Sequence, residues 1–251
     1  GSASRAASRG VIQNNIIEDC GSAVTYYNYT AQEMRNHITR YNLAIDMDNI
    51  QSGANGRGFE LNGSATPPGL TTGNMFYYNI AINVVDVAFR ETRKDVVKFY
   101  NNVAYNVGSG IHAGGYENEY YNNGTVEPGS YFLYWRWDSE GGIEEVLYSD
   151  YNGYYPNAES TTEFKVLDAV PRQYFYLNFS DYKSQYSGYN WDVNSLVSDP
   201  KFLNASGSWN TGSDFQLTAD SSWIDAGTDV GLSVDFGGNP IYGTPDIGAW
   251  E

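Results

Sequence analysis

Residues 76–83 read Phe-Tyr-Tyr-Asn-Ile-Ala-Ile-Asn, and residues 99–106 repeat this pattern as Phe-Tyr-Asn-Asn-Val-Ala-Tyr-Asn. An aromatic or apolar run leads to Asn79 in the first stretch and to Asn102 in the second. Similar runs lead to four other markers in the first 150 residues, namely Asn15, His37, Asn123 and Asp150. Successive markers are 22, 42, 23, 21 and 27 residues apart. If 42 is two repeats, or one repeat with an inserted loop, the unit has about 22 residues, which is typical of solenoids.

A second short β-like run follows most of these markers, so each repeat holds at least two strands. Strands stacked repeat upon repeat form a parallel β-helix, in which side chains alternate between a filled interior and the surface. Asn suits the turns of such a fold because it tolerates left-handed backbone conformations and bonds its own backbone. Stacked amides can also bond to one another. We therefore predict an all-β parallel β-helix and interpret the Asn column as structural.

Composition restricts the partners of the chain. Its 251 residues contain 14 Lys and Arg against 30 Asp and Glu, for a net charge of −16. Such a charge repels phosphates and anionic lipids, so neither nucleic acid nor a membrane is an expected partner. One Cys and two His provide no metal-type Cys/His spacing. No motif requires a cofactor, and a structural calcium ion is the one alternative that the sequence leaves open.

The repeat pattern divides the chain into four segments. Residues 1–10 are interpreted as an expression remnant or tail, 11–156 as β-helix coils, 157–195 as an irregular excursion, and 196–251 as terminal coils. The excursion contains one predicted helix, Ser180 to Tyr186, with Ser180 as N-cap. Because the repeat begins within about ten residues and open coils expose strand edges, we expect upstream coils or a partner chain to cap the first coil.

The last 55 or so residues contain the stretches Ser198-Asp-Pro-Lys-Phe202, Trp223-Ile-Asp-Ala-Gly-Thr228 and Asp246-Ile-Gly-Ala-Trp-Glu251. This order of motifs resembles the C-terminal end of many secreted bacterial right-handed β-helix proteins. The resemblance implies a right-handed, pectin-lyase-like parallel β-helix and a secreted, extracellular or cell-surface location.

The middle coils carry a second resemblance. Gly56-Arg-Gly-Phe-Glu-Leu-Asn-Gly63, followed by Asn79-Ile-Ala-Ile-Asn83 and Asn102-Val-Ala-Tyr-Asn106, is similar to the family 9 pectate lyases. In that family a Lys abstracts the proton α to the uronate carboxylate, and aspartates one coil earlier hold calcium. Glu60 stands at the Lys position here, and residues 23–28 contain no aspartate cluster. The substitution argues against the lysine-and-calcium mechanism of that family.

Strict strand alternation places one set of polar residues on the outer surface. With Val24, Ile45, Val87, Ile111 and Phe132 inward, the predicted outward residues are Thr25, Asp46, Ala88, His112 and Leu133, followed two residues later by Asp48, Arg90 and Gly114. We predict that His112, Arg90 and Glu60 are catalytic and that Asp46, Asp48 and Glu117 line the same groove. His serves as a general acid or base near neutral pH, and Arg forks onto the carboxylate of a uronate.

Two further patterns point to carbohydrate. Asp46 or Asp48 with Glu60, or Glu91 with Glu117, would provide the carboxylate pair of a glycoside hydrolase. The run from Tyr131 to Asp138 is too aromatic for every ring to be buried, so one parity must face outward, either Tyr131, Leu133, Trp135 and Trp137 or the other set. Trp135 and Trp137 are the residues predicted to stack on sugar rings.

The sequence therefore indicates a secreted β-helix protein that cleaves a polysaccharide as a lyase or a glycoside hydrolase. The alternatives are a non-catalytic carbohydrate-binding or adhesin module and a trimeric phage tailspike fragment.

Overall fold

The computed structural model describes residues 7–28, 34–48, 56–63, 71–92, 96–114, 117–136, 147–156, 158, 163–169, 172–205, 209 and 211–251. Over these residues the chain is all-β, and all but one of its strand pairings are parallel. In chain order the strands are β1 (Ala7–Ser8), β2 (Val11–Gln13), β3 (Ile16–Glu18), β4 (Ser22–Asn28), β5 (Met34–Arg35), β6 (Ile38–Arg40), β7 (Leu43–Ile45), β8 (Arg57–Gly63), β9 (Thr71–Thr72), β10 (Asn74–Tyr77), β11 (Ile80–Ile82), β12 (Val87–Thr92), β13 (Val97–Tyr100), β14 (Val103–Ala113), β15 (Asn118–Tyr121), β16 (Gly124–Arg136), β17 (Leu147–Asp150), β18 (Gly153–Tyr155), β19 (Phe164–Ala169), β20 (Arg172–Leu177) and β21 (Leu196–Val197).

These strands form three sheets. β1, β5 and β9 make a small sheet, and β2, β6, β10, β13, β15 and β17 make a six-stranded sheet. The twelve-stranded sheet has two arms that share the long strands β14 and β16. What we call the first arm contains β3, β7, β11, β18 and β21 with the first halves of β14 and β16. The second arm contains β4, β8, β12, β19 and β20 with the second halves of β14 and β16.

The prediction that the second β-like runs of successive repeats stack in one parallel sheet is confirmed for four of these runs. The strands that hold Val24, Val87, Ile111 and Phe132 are β4, β12, β14 and β16, and all lie in the second arm with parallel pairing. The strand at Ile45 differs: β7 pairs with β3 and β11 in the first arm, so Asp46 follows a different run of strands from His112.

Asn side chains form a continuous ladder at the turn between the six-stranded sheet and the first arm. The Nδ2 groups of Asn15, Asn42, Asn79, Asn102 and Asn123 each donate to the Oδ1 of the next Asn, over 2.9–3.2 Å, and the last acceptor is Asn152. The predicted structural role of the Asn column is therefore confirmed. Two markers were misplaced, because Asn42 and Asn152, not His37 and Asp150, occupy the ladder.

The ladder also resolves the long interval. Asn42 and Asn79 are consecutive ladder members 37 residues apart, whereas Asn79 to Asn102 and Asn102 to Asn123 span 23 and 21. The interval of 42 therefore contains one repeat with inserted residues. Between the sheets the interior is aromatic, with the rings of Phe76, Phe99 and Tyr120 stacked at 4.9 and 5.3 Å.

The excursion is more regular than predicted. Within residues 157–195, β19 continues the second arm in parallel, and β20 turns back antiparallel to it. The helix α1 spans Phe179–Gln185, and its N-cap is Asn178, whose side chain accepts from the backbone N–H of Asp181. Ser180 is therefore the second residue of the helix and not its cap. At the other end, β1 shows that strand pairing already begins within residues 1–10.

Beyond β21 the chain forms a covering layer instead of further coils. The described residues of this layer contain one 3-10 helix, Gly212–Phe215, and the isolated bridges Phe202 to Leu217 and Val234 to Pro240, but no strand. Phe215 and Ala249 pack on the outer face of the first arm, against Leu43, Ile80 and Val103. The strands β7 and β11 are buried on both faces, so their outer side chains need this cover.

No helix in the described part of the chain has the length and apolarity needed to cross a membrane.

Candidate functional site

The outer face of the second arm carries a row of polar side chains in register. Along successive strands, Thr25, Glu60, Arg90, His112, Tyr134 and Lys165 are direct neighbours. One step along such a row is about 4.8 Å. The predicted neighbours Glu60, Arg90 and His112 are thus brought together on three consecutive strands.

These strands depart from strict alternation in a shared way. In β14, Ser109 and His112 line the outer face, while Ile111 joins the core. A Cβ on the intervening Gly110 would lie 2.4 Å from the side chain of buried Thr125, so Gly110 also faces inward. In β16, Tyr131 and Tyr134 are outward and Phe132 and Leu133 are both buried. The predictions of Ala88 and Leu133 as outward residues were wrong because β12 turns both Ala88 and Phe89 inward, and β16 turns both Phe132 and Leu133 inward.

Glu60 is the electrostatic centre of the row. Its carboxylate is fully buried and accepts from the Arg57 guanidinium at 2.9 and 3.1 Å and from the Arg90 guanidinium at 2.9 Å. Arg57 also contacts Asp86 at 3.1 Å. Burial alone would lower the pKa of the Arg57 guanidinium. The negative charges of Glu60 and Asp86 more than offset burial, so the pKa is raised above its usual value. Both guanidiniums are fixed in direction by their contacts with the Glu60 carboxylate.

An aromatic group adjoins these cations. The His112 and Tyr134 rings stack with centroids 4.2 Å apart. On the next strand, the Lys165 ammonium lies 4.3 Å from the ring centroid of Tyr134 and 4.9 Å from that of Tyr131. Both distances are within the range of cation–π attraction.

Between these groups lies a pocket with a volume of about 240 Å³. Its lining combines cations, tyrosines and small residues: Arg57, Asp86, Val87, Arg90, Ser109, His112, Tyr131, Tyr134 and Lys165. A concave site with a few convergent polar groups is typical of a ligand-binding site.

Three predicted groove residues lie outside this pocket. Asp46 sits at a different corner, where its carboxylate accepts from Asn83 at 2.7 Å, and Asn83 in turn accepts from Asn106 at 2.6 Å. Asp48 is exposed beyond β7, and Glu117 is exposed in the turn before β15. None of the three lines the pocket. The placement of Asp46 was wrong because its strand belongs to the first arm.

The predicted carboxylate pairs are not assembled in the pocket either. Glu60 is buried beneath two guanidiniums. Glu91 is fully buried, and its carboxylate accepts from the Gly114 backbone N–H at 2.9 Å and from Asn118 at 3.0 Å.

Trp135 does not form a sugar-stacking surface. Its side chain is only 6% exposed and packs edge-on against Tyr120 and Trp191 inside the core. The two consecutive inward residues Phe132 and Leu133 change the parity of the strand, so the outward rings are Tyr131 and Tyr134. Trp137 lies outside the described residues.

Two cations of the site escaped sequence reasoning. Arg57 lies three residues before Glu60, a spacing at which strict alternation would put the two on opposite faces. Lys165 lies in the excursion, where no repeat period gives its register. Among the described residues, no three His, Cys, Asp or Glu side chains are grouped to hold a metal ion.

Comparison with known proteins provides no identity for this site, since no family model and no curated protein matches the sequence.

Proposed function

We propose that this chain is a secreted right-handed parallel β-helix protein that binds an acidic polysaccharide in the second-arm pocket and cleaves it by β-elimination. The stacked parallel sheets and the Asn ladder support the β-helix. The two sequence resemblances support its handedness and its secretion by a bacterium.

The observation that carries this function is the concentration of cations in the pocket. Arg57, Arg90 and Lys165 line it together with His112, although the chain has 14 Lys and Arg in total and a net charge of −16. An acidic protein repels a polyanion over most of its surface, so a local cluster of cations is required for binding. Planar guanidiniums match the carboxylate of a uronate in shape and charge.

The composition of the pocket favours elimination over hydrolysis. A glycoside hydrolase needs two carboxyl groups beside the scissile bond. Asp86 is the only carboxylate residue lining the described pocket, and it is engaged by Arg57. Elimination instead needs a cation at the substrate carboxylate, a base and a proton donor, and the pocket offers a residue for each role.

The proposed roles follow from position. Arg90 lies one step from His112 along the row, and Lys165 lies two steps away on the other side, beyond Tyr134. Both would neutralise the uronate carboxylate, which acidifies the α proton. His112 would accept that proton from C5. The electron pair forms the C4=C5 double bond, the C4–O bond breaks, and Tyr131 or Tyr134 would donate a proton to the departing oxygen.

The test is ultraviolet absorbance of the new C=C bond during incubation with polygalacturonate, alginate and hyaluronate. We expect absorbance to rise with at least one substrate and to fall about 100-fold or more in rate for His112→Ala, the usual range for loss of an acid–base group. Asn106→Ala, on the same strand but outside the pocket, should retain the wild-type rate. New reducing ends without absorbance would indicate hydrolysis, and full activity of His112→Ala would remove this residue from the mechanism.

A second candidate is a non-catalytic carbohydrate-binding module. It is favoured by Glu60, because this residue occupies the position of the catalytic Lys of the family 9 pectate lyases and its side chain is fully buried. Binding without absorbance or new reducing ends would support this candidate.

A further inference from the structure

A second aromatic surface adjoins the pocket on the antiparallel strand β20. Tyr174 and Tyr176 are 44% and 48% exposed, so much of each ring is open to solvent. They are two residues apart on one strand and therefore share a face. Tyr176 lies directly opposite Lys165 in the register.

The Lys165 ammonium links this surface to the pocket. Its nitrogen lies 4.7 Å from the ring centroid of Tyr174 and 5.5 Å from that of Tyr176, in addition to its contacts with Tyr131 and Tyr134. Four rings thus surround one charge. The rings of Tyr131 and Tyr176 are 6.3 Å apart, so the aromatic surface is continuous from the pocket lining to β20.

We propose that Tyr174 and Tyr176 form an accessory sugar-binding subsite, which holds the part of an acidic polysaccharide that extends beyond the pocket. The inference rests on the proposed binding of an acidic polysaccharide and adds where the chain of sugars runs. Flat, half-exposed rings bury the apolar faces of sugars, and their hydroxyls can bond to sugar hydroxyls.

Lys165 has a positioning role in this arrangement. Its ammonium attracts four tyrosine rings and so restrains them before any ligand binds. The tyrosines then lose less conformational entropy on binding, and such preorganisation increases affinity. Its charge also favours acidic over neutral sugars at the junction between pocket and subsite. The predicted ligand is therefore an oligosaccharide of several acidic sugars, bound more tightly as its length increases.

The test is calorimetry with oligogalacturonates and with alginate and hyaluronate oligosaccharides of increasing length. In the double variant Tyr174→Ala/Tyr176→Ala we expect affinity for long oligosaccharides to fall about tenfold or more, with little change for the shortest ones that bind. Tyr174→Phe/Tyr176→Phe retains the rings and should keep most of the affinity. Tyr148→Ala/Tyr242→Ala, which removes two exposed tyrosines outside the second arm, is the matched control.

The outcomes separate the subsite from the proposed function. If the wild-type protein binds these acidic oligosaccharides, but the Tyr174→Ala/Tyr176→Ala variant binds every length as tightly as the control, the subsite is refuted and the pocket stands. If the wild-type protein binds none of them, both proposals are refuted. A thermal melt by circular dichroism checks that each variant is folded, and the Phe variant provides a second reading if the Ala variant is not.

Discussion

Replacement of Glu60 by Gln tests whether the buried carboxylate organises the cations of the pocket. The side chain is fully buried and accepts from Arg57 and Arg90, which are themselves 12% and 18% exposed. Gln has nearly the same shape, so the change removes charge with little change in volume. Its amide also directs donor hydrogens at guanidiniums that can only donate.

The magnitude follows from the burial of the three groups. Removing one partner of a buried ion pair typically costs about 3–5 kcal/mol, because the remaining charge is left uncompensated. The partial exposure of both arginines, and the contact of Arg57 with Asp86, place the expected loss near the lower limit, at about 3 kcal/mol. For a chain of this size that corresponds to a decrease in melting temperature of about 6–12 °C.

The assay is thermal and urea unfolding of wild-type protein, Glu60→Gln and the control Asp86→Asn. Asp86 contacts the same Arg57 but is 49% exposed, so its replacement should cost less than about 1 kcal/mol. Glu60→Gln should also weaken polysaccharide binding, because the two guanidiniums lose the carboxylate that holds them side by side and then repel each other. A Glu60→Gln protein within 1 kcal/mol of wild type would refute the role assigned to this carboxylate.

Three further changes test other parts of the structure. Asn102→Ala should lower the free energy of unfolding by roughly 2–5 kcal/mol in urea titrations, because the buried Asn79 N–H and Phe76 C=O lose their partners; an unchanged midpoint would contradict the ladder. Trp135→Ala should cost about 3–5 kcal/mol of stability, because it leaves a cavity in the core. The folded variant should bind sugar with unchanged affinity. A loss of affinity without a loss of stability would show that Trp135 is a binding residue. Burial raises the pKa of Glu251 from 4.5 to about 8. The Glu251 carboxyl therefore binds its proton more tightly in the folded state than in the unfolded chain. The contribution of this proton to the free energy of unfolding is fully present below pH 4.5 and is lost as pH rises to about 8. The melting temperature should fall over that window, and an equally steep fall in Glu251→Gln would contradict this assignment.

The sequence indicated the fold well where local chemistry and repeat geometry agree. The pattern of aromatic residues followed by Asn gave the parallel strands and the structural role of Asn79 and Asn102. It misassigned His37 and Asp150, because another Asn, Asn42 or Asn152, lay only a few residues away. The ladder bond, visible only in three dimensions, distinguishes between them.

The tail shows a different limit. Motifs around Phe202 and Asp246 indicated further coils, but these residues belong to a layer that covers the first arm. Sequence periodicity cannot separate an inward strand from an apolar segment that covers a sheet from outside, because both bury the same residue types.

The candidate site was predicted in part. Glu60, Arg90 and His112 were placed together because each lies at an equivalent position of its repeat. Arg57 and Lys165 were missed. Arg57 faces the pocket only because two consecutive residues between it and Glu60 turn inward, and the position of Lys165 depends on how residues 157–195 pair with the sheet, which the repeat period does not give. Trp135 was misassigned for the first of these reasons: a single change of parity moves a large ring from the surface into the core.

The central claim is that the second-arm pocket recognises the acidic groups of a polysaccharide. Its most direct test is the affinity for polygalacturonate, alginate and hyaluronate, each measured beside its carboxyl-reduced, neutral form. The comparison is repeated with Lys165→Met and with the control Lys183→Met, which removes a lysine that lies over the Phe179 ring, outside the pocket. We predict that at least one acidic form binds at least about tenfold more tightly than its neutral form, and that this preference decreases in Lys165→Met but not in Lys183→Met. Equal affinity for acidic and neutral forms, or no binding of any of them, would contradict the claim.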